Sequence, residues 1–165
     1  MITIKEIAER ANVSRTTVSR VLNSSGYVSK EAKKRVEEVI KKTGYIPSEN
    51  AKSLRTKKSK AVGVILPKIS TETSSRLVSG IDEILSNKGY QILLSNTNLN
   101  PEKEIESLRL LKGRHVDGII LSATNCNEEL LAEINQLNIP FVMVGQSVEG
   151  LTNVLYDDYQ ASKDM

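Results

Sequence analysis

A chain of 165 residues, 39% of them hydrophobic and 26% charged, is long enough for one domain with a real core or for two small ones. A single cysteine, Cys126, excludes an intrachain disulfide, and with a single histidine, His115, it leaves no ligands for a zinc cluster. The net charge of +3 hides an asymmetry: residues 1–60 hold 15 Lys/Arg against 6 Asp/Glu, and residues 61–165 hold 8 against 14. A basic head on an acidic body points to a head that meets a polyanion and a body that does not. The chain opens with no basic stretch leading into an apolar one, and no apolar run approaches the length of a membrane span, so a soluble cytoplasmic protein is expected.

Residues 4–23 read as two short helices joined by a tight turn. Thr3 and Glu6 stand at capping-box spacing. Ile4, Ile7, Ala8 and Ala11 fall on one helical face. Asn12 tolerates the left-handed conformation of a turn, and Ser14 has the chemistry to cap the second helix. That helix turns Val18, Val21 and Leu22 inward. Its other face carries Arg15, Thr16, Thr17, Ser19 and Arg20, all hydrogen-bond donors and none acidic. A DNA recognition helix needs such a face, because arginine pairs with a guanine edge and a threonine methyl meets that of thymine. Hydroxyls and the N–H groups of a helix start hold phosphates. A helical hairpin with a solvated polar face gives the same local pattern, and the later residues decide between the two.

After a loop at residues 24–28, Ser29 is placed to cap a third helix over residues 30–43, with Val36, Val39 and Ile40 inward and Gly44 as its left-handed stop. The coat of Lys33, Lys34, Arg35, Lys41 and Lys42 reads as a solvated face. Three helices in so few residues make a core that is marginal alone. Pro47 then breaks the pattern. Residues 48–56 hold few apolar side chains, and a helix this short is unstable in water, so by composition residues 47–60 are a linker.

The three segments TIKEIAERANVSRTTVSRVLN, YVSKEAKKRVEEVIKKTGYIP and AKSLRTKKS, in register, closely resemble the headpiece and hinge of the lactose/galactose repressor family of bacterial transcription regulators. The resemblance implies a helix-turn-helix headpiece over residues 1–46, a hinge over 47–60 and an effector-binding core from 61 to 165. It implies base reading by Arg15, Thr16 and Arg20. It implies contact with or support of the DNA backbone by Ser14, Thr17, Ser19, Asn23, Tyr27 and Ser29. In the family the hinge becomes helical on the operator, and Asn50, Ala51 and Leu54 fall in it, Leu54 being the leucine that wedges into a central base step. An apolar wedge offsets unstacking by allowing a bent, better wrapped duplex.

From residue 60 the pattern changes to short apolar runs alternating with amphipathic helices. Strands are predicted at residues 61–66, 91–95, 116–122, 141–144 and 153–156, and helices at 73–88, 101–112, 127–137 and from 159 onward. This alternation makes an α/β, doubly wound, mostly parallel sheet. Ligands of such sheets bind beyond the carboxyl ends of the strands, here rich in hydroxyls and amides, and Ser70, Thr73, Ser122 and Asp157 are the candidate effector residues. This half resembles the N-terminal subdomain of the same family's sugar-binding core, which is also the fold of periplasmic sugar-binding proteins. Two departures stand out. The loop after the first strand reads ISTETSS, without the aromatic side chains on which many members stack a sugar. Family chains also continue into a second subdomain that closes the cleft, so the core is expected to be partial.

The function expected is therefore a sequence-specific DNA-binding transcription regulator, a repressor by class. It would bind a pseudo-palindromic operator as a dimer and respond, in full-length form, to a sugar or sugar phosphate. One alternative is a truncated chain with weak DNA binding and no effector response. Another is a small-molecule-binding or enzymatic α/β domain. No phosphate-binding loop, no G-x-G-x-x-G and no nucleophile with a base beside it is found in the sequence, so no catalysis, cofactor or metal is expected.

Overall fold

The computed structural model describes residues 2–47, 58–157 and 163. The chain divides into two compact units, Met1–Ala51 and Lys52–Met165.

The first unit is three helices: α1 (Ile4–Ala11), α2 (Arg15–Asn23) and α3 (Lys30–Thr43). Each begins on the predicted cap. Thr3 accepts from the Glu6 N–H and donates its own N–H to the Glu6 carboxylate, closing the capping box. The backbone and hydroxyl of Thr3 hold the Glu6 carboxyl below the usual carboxylate range. Ser14 accepts from the Thr17 N–H at 3.0 Å and Ser29 from the Ala32 N–H at 3.3 Å. Ile7, Ala8, Ala11, Val18 and Val36 form the buried core, with Val21, Leu22, Val39, Ile40 and Tyr45 packed around it.

The second unit begins with β1 (Ala61–Leu66), α4 (Glu72–Asn87) and β2 (Gln91–Asn96). It continues through α5 (Pro101–Gly113), β3 (Gly118–Ser122), α6 (Glu128–Asn135), β4 (Phe141–Val144) and β5 (Thr152–Val154). The five strands are all parallel, in the order β2-β1-β3-β4-β5. The chain steps from β1 out to β2 and then back across β1 to β3. That reversal makes the crevice between the carboxyl ends of β1 and β3 the switch point at which such folds bind ligands. One sheet face, with Ile65, Ile119, Leu121 and Met143, packs on Ile105, Leu108 and Leu111 of α5 and on Leu130 and Ile134 of α6. Gly63 lets α5 approach, since a Cβ there would lie 2.5 Å from a Leu111 methyl.

Several boundaries differ from the sequence reading, each for a local reason. Helix α4 starts at Glu72 rather than at residue 73, because Thr71 caps it through the Ser74 N–H. Strand β3 starts at Gly118 rather than at 116, since the Val116 N–H still closes the end of α5 on Leu111 and Asp117 turns its side chain to other work. Helix α6 stops at Asn135, after which the Leu137 N–H makes a tight turn onto Ile134. Strand β5 covers Thr152–Val154 rather than 153–156, with Asn153 bonded back to Val148 and Leu151. The helix expected from residue 159 begins outside the described residues.

One buried group was not expected. Glu104, 0% exposed on α5, accepts the Thr124 N–H at 2.7 Å and so pins the loop after β3. Its second oxygen and the Thr124 hydroxyl have no partner among the described residues. Glu104→Gln keeps the acceptor and puts an amide donor in place of the unpartnered oxygen, so its melting temperature is expected to equal or exceed that of the wild type. Glu104→Ala leaves a cavity and an unpaired N–H, and should cost about 2–4 kcal/mol in a denaturant titration.

Candidate nucleic-acid interface

The turn between α1 and α2 is built from left-handed backbone. Asn12 has φ 49°, and its N–H and that of Val13 close on the last carbonyls of α1. Ser14 then starts α2, and its hydroxyl also lies 2.9 Å from that of Thr17. With Val18 fixed inward at 0% exposure, the rest of α2 has no rotational freedom. At 3.6 residues per turn, Arg15, Thr16, Ser19, Arg20 and Asn23 fall within an outward arc of roughly 140°. Arg15, Thr16, Arg20 and Asn23 are exposed, whereas Thr17 and Ser19 are half-buried at the edge of the core. No acidic residue stands in the first turn of α2, and among the described residues neither arginine of this face pairs with a carboxylate. The two guanidinium groups of this face are therefore donors without a carboxylate partner among the described residues.

Two side chains are held ready. The Asn23 amide donates to the Ser19 carbonyl at 2.6 Å and its hydroxyl at 3.3 Å, which ties the end of α2 to its middle. Arg20 lies along the backbone of Gly26, where a Cβ would stand 3.4 Å from its Nε, and Gly26 itself has φ 71°. Helix α2 stops at a left-handed Ser24, and Tyr27 stands 87% exposed before the Ser29 cap of α3. The predicted contact residues on described parts of the headpiece are thus gathered on α2 and the loop that follows it. Asn50, Ala51 and Leu54 lie outside the described residues.

The candidate effector residues belong to the other unit. Ser70 is exposed in the loop after β1, and Thr73 is exposed in the first turn of α4. Ser122 ends β3 half-buried. These three flank the switch point. Asp157 follows β5, on the same edge of the sheet but two strands from β3. The Asn96 side chain accepts the Ile69 N–H and donates to Asn98, so the loops after β1 and β2 are stitched together. Burial, with the Glu104 charge adding to it, pushes the Cys126 thiol up, which keeps it a thiol rather than a nucleophile.

Residues 3–48 match the bacterial regulatory proteins of the lacI family, and residues 59–165 match the periplasmic binding proteins and sugar binding domain of LacI family. The chain belongs to the LacI family. The sucrose operon repressor of Staphylococcus xylosus is 35% identical over 158 residues, covering 96% of this chain and 49% of that one. The ribose operon repressor of Halalkalibacterium halodurans is 42% identical over 148 residues, covering 90% and 44%. A LacI-family transcriptional regulator from Silicibacter pomeroyi superposes with a TM-score of 0.81 at 28% identity, over all of this chain and 50% of that one. The lac repressor dimer bound to operator shares the fold, with a TM-score of 0.82 at 22% identity, over 96% of this chain and 49% of that one. The chain spans about half the length of the curated relatives it matches. These relatives are named as operon repressors. No helix among the described residues is long and apolar enough to cross a membrane.

Sequence reasoning missed how the LacI-type headpiece orders its own contacts. The bed that Gly26 makes for Arg20 and the left-handed Ser24 bring residues together only once the loop closes. A glycine after two serines was the one available signal. It missed Glu104 and Asp117 outright, since acidic residues on a helix or before a strand look solvated in sequence.

Proposed function

We propose that this chain is the DNA-reading part of a transcriptional repressor that binds a pseudo-palindromic operator as a homodimer. One α2 would lie in the major groove of each half-site. The carrying observation is the outward arc of α2, made only of donors and small side chains on a helix locked by two caps and a buried valine. In this reading Arg15, Thr16 and Arg20 meet base edges. Ser14, Thr17, Ser19, Asn23, Tyr27 and Ser29 hold or support the sugar-phosphate backbone. Residues 1–46 read the DNA, residues 47–60 act as the hinge and residues 61–165 belong to the effector-binding core. Leu54 is the minor-groove wedge, flanked by Asn50 and Ala51. An apolar strip on α4, with Leu77, Ile81 and the 59% exposed Ile84 beside Gly80, supports pairing with a second copy. The effector would be a sugar or sugar phosphate received at the switch point by Ser70, Thr73, Ser122 and Asp157, as the match to the sugar binding domain supports. The site of action is the cytoplasm.

Selection from a random DNA pool at about 0.15 M salt, where the Debye length is short, tests this reading. The wild-type chain should enrich a palindrome with a defined centre, and Leu54→Ala should lose the preference for that centre. Binding that appears only at low salt and ignores sequence would refute it.

A further inference from the structure

The α/β unit carries a clamp at the point where the linker enters it. Asp117, between the end of α5 and the start of β3, turns its carboxylate onto a segment 58 residues earlier in the chain. One oxygen accepts the Ser59 N–H at 2.9 Å and the Ser59 hydroxyl at 3.1 Å, and the other accepts the Lys60 N–H at 3.1 Å. The Asp117 N–H donates in turn to the Ala61 carbonyl at 2.8 Å. Lys60 is held from the far side as well. Its carbonyl accepts the Gln91 N–H at 2.9 Å, and its ammonium sits 4.1 Å from the centre of the Tyr90 ring. Held this way, Lys60 has φ 56°, a left-handed conformation that costs a residue with a Cβ and persists only where its surroundings impose it.

Strand β1 pairs with β2 from Ala61 and with β3 from Val62, and the elbow adds the Lys60 bond to Gln91 at the start of the β2 ladder. The elbow also fixes the direction in which the chain leaves the sheet toward residues 47–58. We infer that Asp117 is a positioning residue for DNA recognition: by clamping the Ser59–Lys60 elbow it sets where the linker departs, so that in a dimer the two linkers start from fixed points. This rests on the repressor reading above. Pre-organisation of this kind raises affinity by lowering the ordering cost of binding, without any new contact to DNA. Asp117 itself touches no nucleic acid in this account.

The test uses the full chain as wild type, Asp117→Ala and Asp117→Asn. Three readouts are taken: amide hydrogen exchange at Ser59 and Lys60, the thermal melt, and affinity for the selected palindrome against a scrambled duplex. Both amides should exchange slowly in the wild type and fast in Asp117→Ala. Affinity for the palindrome should fall about 10-fold in Asp117→Ala, while binding to the scrambled duplex stays the same. Asp117→Asn keeps the oxygen that serves Ser59 and loses the one that serves Lys60, so it should fall between. A merely structural role would lower the melt and weaken both duplexes together. If Asp117→Ala does not fold, Ser59→Ala, which removes the hydroxyl bond to Asp117 and the one that hydroxyl accepts from the Ala61 N–H but keeps both backbone bonds to the carboxylate, should show a smaller loss in the same direction. Fast exchange in the wild type overturns the clamp. Lost protection with wild-type affinity for the palindrome overturns the positioning role. A wild type that selects no palindrome refutes the repressor reading, and the positioning role falls with it, while exchange still decides whether the clamp exists.

Discussion

Ile7→Ala is expected to unfold the three-helix unit and abolish DNA binding while leaving the α/β unit folded. Ile7 is 0% exposed at the centre of a core whose other fully buried members are two alanines and two valines. Truncating a buried isoleucine to alanine costs about 2–5 kcal/mol, the upper end applying where the site cannot collapse. A core of this size supplies only about 3–5 kcal/mol of net stability. The loss therefore matches the whole margin. Calorimetry should show one transition missing and the other unchanged, since each unit has its own buried core. Ile4→Ala, at a half-exposed position beside the same core, should lower the first transition without removing it.

Arg20→Ala and Arg20→Lys should both weaken operator binding by roughly 10- to 100-fold, the equivalent of about 1–3 kcal/mol for one bidentate base contact. Arg20 is exposed near the end of α2, no described carboxylate pairs with it, and its side chain runs close beside Gly26, where a Cβ would crowd it. A guanidinium so placed presents a planar fork. Lysine keeps the charge and loses the fork, so it should not rescue. The distinguishing result is specificity: sequence preference should relax at one base pair per half-site, while the salt dependence changes little. If Lys restores wild-type binding, Arg20 acts as a phosphate contact and the base-reading assignment moves to Arg15 and Thr16.

Local chemistry explains why so much of the headpiece was legible. Each helix cap is a side chain bonding a backbone N–H three residues ahead, and the left-handed stops at Asn12 and Gly44 are intrinsic to those residue types. The strands were legible as apolar runs of the right length, although their ends drifted by one or two residues where a cap or a turn competed. The candidate effector residues fared less evenly. The strand order puts Ser70, Thr73 and Ser122 at the carboxyl ends of the adjacent strands β1 and β3, while Asp157 lies past β5.

The sequence by itself determined the three capped helices, the donor face of α2, the alternation of strand and helix and the break between a basic head and an acidic body. All of these depend on neighbours a few residues apart or on composition. Only the tertiary structure decided the sheet order, the burial of Glu104 beneath the loop at Thr124, and the grip of Asp117 on Ser59 and Lys60. Those pairings join residues 20 and 58 apart in the chain. Residues that far apart meet only after the whole sheet has formed, and neither carboxylate carries a local mark of the partner it will find.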